Sequence, residues 1–229
     1  MSYLMSNYAP LEVSFVKGKG CYLVDSKGNQ YLDALCGVGV TGLGHSHPEI
    51  SRAIQSQSQK VIHTSNWYHI EHQETLAEKL CKLSKMDKAF FGNSGAEANE
   101  AAIKIVRLFA RSKDIEKPVI LTANQGFHGR TMATLSATGQ SKVQAGFAPL
   151  MSEFIHVNYD DIEAISDYQS NANVVAVMVE PIQGEAGIII PKNDYLNKVQ
   201  EVCNKNGWLL ILDGVQSCMG RTGKLFAHE

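Results

Sequence analysis

Ser94 and Glu97 stand three residues apart just after the short apolar run Ala89, Phe90, Phe91 and the turn residue Gly92, which is the spacing of a helix capping box. A helix starting near Gly95 leaves the N–H groups of its first turn without intrahelical acceptors, aimed above the strand end. Its dipole favours a negative partner by up to ~2 kcal/mol, so the stretch FFGNSGAEAN, 90–99, is a prepared seat for an anion, most commonly phosphate. It is neither the P-loop nor the dinucleotide fingerprint, because the Lys-Ser/Thr pair and the three spaced glycines are missing. A plain, well-capped core helix would use the same ten residues. Two acids, Glu180 and Asp213, directly follow the apolar runs VVAVMV and WLLIL. The loop Asn124–Thr131 offers an aromatic face at Phe127 and a carboxylate-binding fork at Arg130. Taken singly, such residues are more often structural: a loop Arg is usually solvated, and an Asp at a strand end often caps a helix. His45 and His47, like His69 and His72, lack a neighbouring Cys or carboxylate cluster and read as structural histidines, so no metal site is expected.

The elements that must hold these residues follow from pattern. Residues 12–40 read as short, antiparallel strands around Phe15–Lys17, Cys21–Val24 and Tyr31–Leu32, with a turn at 25–29. Pro48 suits the first turn of a helix to about Val61. From His69 onward helices alternate with apolar runs: helix 70–84, strand 88–91, helix 95–111, strand 118–122, a helix near 129–138, a short run 153–157, a helix near 160–168, strand 174–179, a helix near 193–205 and strand 208–212. On the helix 95–111, Ala98, Ala101, Ala102, Ile105 and Phe109 are the expected apolar positions. This rhythm predicts an α/β fold, a mostly parallel sheet flanked by helices. VVAVMV and WLLIL lack alternation, as strands buried on both faces do, and their terminal acids fall at the carboxyl edge where α/β proteins bind ligands.

The bulk numbers are compatible with one large domain. The chain has 229 residues, 44% hydrophobic and 19% charged, with a net charge of −2, which gives no case for nucleic acid or an anionic membrane. Five scattered cysteines form no C-x-x-C pair, suggesting neither a disulfide framework nor zinc and fitting a reducing cytoplasm. No run reaches the length of a membrane span.

A phosphate seat, a stacking wall and an acid at one sheet edge match what a flat cofactor with a phosphate arm and a ring nitrogen needs, and pyridoxal phosphate has that shape. The segments GLGHSHP (42–48), SNWYHIE (65–71), FGNSGAEANEAAIK (91–104), GFHGRTMATLSATG (126–139), VEPIQGEAG (179–187) and LDGVQSCMGRTGKLF (212–226) resemble, in the same order, the N-terminal part of the class III, fold type I aminotransferases. That resemblance implies a large cofactor-binding domain over 49–229 and an incomplete small α+β segment over 1–48. It implies that Gly95 and Ala96 hold the cofactor phosphate with help from Ser94, and that Phe127 stacks on the ring. Asp213 would pair with the ring nitrogen, Gly214 lie beside it, Val215 pack the opposite ring face and Gln216 reach the phenolic oxygen. Arg130 would grip the substrate α-carboxylate, and Glu185 would control which end of the substrate faces the cofactor. SNWYHIE is similar to a segment common in acetylornithine enzymes. The expected substrates are therefore N-acetylornithine and a 2-oxo acid, the family alternatives being ornithine, succinylornithine and 4-aminobutyrate, and the expected assembly is a homodimer.

The chain also departs from the family pattern. The Schiff-base lysine lies about one βα unit beyond the segment at Asp213, and Lys224 matches a non-catalytic lysine, so no residue of this chain is expected to be that lysine. Two readings follow: a partial aminotransferase, or a non-catalytic, cofactor-binding remnant. Gly214 stands where the family usually has Glu, and Cys218 where it usually has Gly. Exposed apolar surface and poor solubility are expected of the isolated chain.

Overall fold

The computed structural model describes residues 3–229, in two compact units, one up to Gln73 and one from Glu74 onward. In the first, β1 (Phe15–Lys19), β2 (Tyr22–Asp25) and β3 (Gln30–Leu32) form an antiparallel sheet in that order. Asp25 organises its second turn: the carboxylate accepts from the N–H groups of Lys27 and Asn29, the Asn29 amide and the Tyr31 hydroxyl. A single turn α1 (Cys36–Gly39) and the helix α2 (Pro48–Ser58), opened by its proline, follow, and α3 (Glu71–Ser84) begins in this unit and runs for most of its length in the second. His45 meets Asp33 at 2.7 Å and pairs its backbone with Gly20, which is a structural role.

The second unit contains α4 (Gly95–Arg111), β4 (Val119–Ala123), α5 (Met132–Ala137), α6 (Ser141–Gln144), β5 (Phe154–Val157), α7 (Ile162–Ser166), β6 (Val174–Val179), α8 (Tyr195–Asn206) and β7 (Leu209–Leu212). Its four strands are parallel in the order β5-β4-β6-β7. Every residue of β6 is buried. Val175 and Met178 belong to a core with Ile103 and Val106 of α4 and Ala133 of α5, while Val177 and Val179 belong to another with Ile165 of α7 and Val199 and Cys203 of α8. Helices thus cover both faces, and each fully buried aliphatic side chain contributes about 1.5–3 kcal/mol. The chain leaves β4 for β5 on one side and returns to β6 on the other, so the crevice between the carboxyl ends of β4 and β6 is a topological switch point, where such sheets bind ligands.

Two expectations are corrected. Residues 88–91 form no strand: the run has no ladder partner among the described residues, and Phe90 is 69% exposed. A strand exists only where a neighbour satisfies its backbone groups. On α4 the buried stripe is Asn99, Ile103, Val106 and Ala110, whereas Ile105 is exposed. The stripe keeps helical spacing but is rotated from the expected one, and it admits a polar residue because Asn99 has buried partners.

Candidate functional site

Asp213 follows β7 at the carboxyl edge, with its side chain almost fully buried. One carboxylate oxygen faces His128 Nδ1 at 2.8 Å and accepts from Asn99 Nδ2 at 2.8 Å; the other accepts from the Val215 N–H at 3.2 Å. Asn99 also donates to the His128 carbonyl at 2.8 Å, so α4, the loop after β4 and the end of β7 meet in one polar cluster. Burial pushes the carboxyl upward, but the hydrogen bond and charge of His128, with Asn99 and Val215, outweigh it and hold Asp213 below its ordinary value. The acid is therefore kept as an anion inside the protein. Sequence reasoning assigned no role to Asn99 or His128, although a polar residue in the apolar stripe of α4 is a signal of a buried partner.

The start of α4 lies against the same segment. A β-carbon on Gly95 would fall 2.9 Å from Val215 Cγ2, so only glycine lets the helix start approach Val215 so closely. Ser94 Oγ accepts from the Glu97 N–H at 3.2 Å, the expected half of the capping box; the Glu97 carboxylate is taken instead by the backbone and side chain of Asn93. The first-turn N–H groups of Gly95 and Ala96 have no acceptor within the helix. Gly129, at φ +133°, brings the loop onto this helix start, since a β-carbon there would be 2.9 Å from Ala96 Cβ.

The half-buried Phe127 is set by its N–H, which donates to Glu180 Oε1 at 2.9 Å, while the other Glu180 oxygen accepts from the Gly184 N–H at 3.3 Å. Burial raises the Glu180 carboxyl above its ordinary value. Gly184 in turn leaves room for Gln216, whose Oε1 would be 2.1 Å from a β-carbon at 184, and Gln216 Nε2 donates to Glu185 Oε1 at 3.3 Å. Gly214 is half-buried against Cys218, and Arg130 is exposed at the end of the loop. The structure thus brings together Gly95 with Val215, Ala96 with the Phe127–Arg130 loop, and Gln216 with Glu185. A polar cavity of about 1070 Å³ beside Gln125, Lys142, His156 and Gln183 includes none of these residues. Among the described residues no group of three His, Cys, Asp or Glu side chains is placed to hold a metal, and no helix is long and apolar enough to cross a membrane.

Donors for an anion at a helix start, a buried ionised acid and the exposed Val215 side chain beside both suit a flat, anionic ligand with a basic ring nitrogen. Comparison with known proteins agrees. Residues 3–229 match the family model of the class III aminotransferases. The chain is 53% identical over its full length to an acetylornithine aminotransferase of Nitrosomonas europaea, of which it spans 58%, and 47% identical over 99% of its length to that of Gloeobacter violaceus, of which it spans 57%. It therefore covers a little over half the length of these relatives. Its fold matches 54% of the ornithine aminotransferase of Toxoplasma gondii, over 98% of this chain, with a TM-score of 0.94 at 34% identity. It matches 56% of the N-acetylornithine aminotransferase of Stenotrophomonas maltophilia, over 97% of this chain, with a TM-score of 0.84 at 38% identity. Another structure of the Toxoplasma enzyme is described as having partial occupancy of pyridoxal phosphate at its active site. The chain belongs to the class III aminotransferases, a family of pyridoxal-phosphate enzymes.

Proposed function

We propose that these residues form the cofactor seat and part of the substrate pocket of an aminotransferase that, as a complete protein, moves the amino group of N-acetylornithine to 2-oxoglutarate. The observation that carries this reading is Asp213, buried and held by His128, Asn99 and the Val215 N–H, beside the contact of Val215 with Gly95. Pyridoxal phosphate would be held by the N–H groups of Gly95 and Ala96 and the Ser94 hydroxyl at its phosphate. Phe127 and Val215 would take the two ring faces, Asp213 the ring nitrogen, with Gly214 beside it, and Gln216 the phenolic oxygen. When bound, the cofactor would supply an electron sink for the C–H bond broken at the carbon that bears the transferred amino group. Asp213 keeps the proton on the ring nitrogen, and His128 and Asn99 orient Asp213. Arg130 grips the α-carboxylate, and Glu185 sets which end of the substrate turns inward.

The choice of N-acetylornithine over ornithine, succinylornithine and 4-aminobutyrate rests on the SNWYHIE segment and on the names of the similar relatives. We assign residues 1–48 to a small domain and 49–229 to the large one, in a cytoplasmic homodimer. Titrating the chain with pyridoxal phosphate, followed by absorbance and protein fluorescence, should show saturable binding that Asp213→Ala weakens by about ten-fold, the effect of one lost interaction of ~1.4 kcal/mol. Equal binding by both proteins would refute the seat. In the complete enzyme, kcat/KM should be highest for N-acetylornithine among the four donors, and Arg130→Ala should raise KM for donor and oxo acid alike; a preference for another donor, or an unchanged KM, overturns that part.

A further inference from the structure

Gly214 needs no special backbone freedom, since its φ lies outside the left-handed region, so its lack of a side chain answers to space. A β-carbon on it would stand 2.3 Å from Cys218 Sγ and 3.4 Å from Cys218 Cβ. Carbon atoms in ordinary contact sit at roughly 3.5–4.0 Å, and sulfur is larger. The two residues face each other across one turn: the N–H groups of Ser217 and Cys218 donate to the Gly214 carbonyl at 3.2 and 2.9 Å. On its other side the Cys218 sulfur accepts from the Ala227 N–H at 3.4 Å. The segment between is folded back on itself by the Met219 and Gly220 N–H groups, which donate to the carbonyls of Leu225 and Lys224. The sulfur is therefore a spacer between this folded-back segment and the Gly214 backbone. A residue on either side of Gly214 belongs to the site: Asp213, with its buried polar cluster, and Val215, against Gly95.

We propose that Gly214 and Cys218 are a matched pair, in which the cysteine sulfur fills the space that a side chain at 214 would need and thereby sets the turn carrying Asp213, Val215 and Gln216. Cys218 is then a positioning residue. It acts through the Gly214 backbone and touches no ligand. The two departures from the family pattern are in this view one departure, each residue permitting the other. The link to cofactor binding rests on the function proposed above; the steric pairing does not.

A double-mutant cycle in the 229-residue chain separates the two. Gly214→Ala alone forces the sulfur out of its place, whereas Gly214→Ala with Cys218→Ala leaves two β-carbons at the 3.4 Å spacing. Thermal melting should show Gly214→Ala strongly destabilising with Cys218 present and nearly neutral with Ala at 218, and recovery of a folding transition in the double variant supports the pair even if the single variant does not fold. An equal penalty in both backgrounds overturns it. For the positioning role, the pyridoxal phosphate dissociation constant should rise about ten-fold in Gly214→Ala and return to within about three-fold of the parent in the double variant. Coupling in melting without coupling in cofactor affinity overturns positioning while leaving the pair. Failure of the parent chain to bind the cofactor at all overturns the proposed cofactor seat and with it the positioning role, and the melting cycle still decides the pair.

Discussion

Taking away the Asp213 carboxylate leaves His128 Nδ1 and Asn99 Nδ2 buried without their shared acceptor. Asp213→Ala should therefore cost about 3–5 kcal/mol in urea unfolding, the scale of a broken buried pair. The direction of its pKa also sets a pH dependence. The folded value lies below the unfolded one of about 3.9, so the stabilisation is present above that pH and is lost as pH falls through the folded value. Asp213→Asn should flatten the acid side of a stability–pH curve; an unaltered curve would show that the cluster is not where the charge is stabilised. Glu180 has the opposite sign. Burial raises it, so its favourable protonated contribution is full below about 4.3 and is lost as pH rises through its folded value. Cys203 is fully buried and its thiol is pushed up to about 12 by desolvation. Ellman's reagent should leave it unmodified in the native chain at mildly alkaline pH and label it in denaturant; native labelling as fast as that of exposed Cys21 would contradict the packing.

At the scale of elements, α4 does two things at once. Its first turn presents N–H groups, and its buried stripe anchors it to the sheet through Val106 and Ile103 and to the site through Asn99. Ser94→Ala removes the hydroxyl that caps Glu97 N and should cost ~1 kcal/mol, read as a lower urea midpoint at unchanged slope. β6 is the central load of the fold, and Met178→Ala should cost about 2–5 kcal/mol because the cavity is enclosed by both neighbouring strands and α4. A loss below about 0.5 kcal/mol, typical of surface positions, would contradict that burial. The strand–helix rhythm was legible in the residues, since periods of two and 3.6 are local properties. The strand expected at 88–91 was not realised, because pairing belongs to a neighbour and not to the run itself.

For the whole molecule, the outer edge of β7 is half-buried and pairs only with β6 among the described residues, and Val16, Leu32, Leu108 and Val215 are exposed. An unpaired strand edge and scattered apolar surface favour association. Sedimentation of the chain should show concentration-dependent oligomers, and a monodisperse monomer at high concentration would refute this. The residue order by itself determined the α/β alternation, the capped start of α4 and the acids at two strand ends, because each is written within a few neighbouring residues. Only the tertiary structure decided that Asn99 and His128 close on Asp213, that Gly95 meets Val215 and that the Cys218 sulfur occupies the space at Gly214. Asn99 and Asp213 are 114 residues apart, and their meeting depends on strand order and helix rotation, which no local pattern encodes.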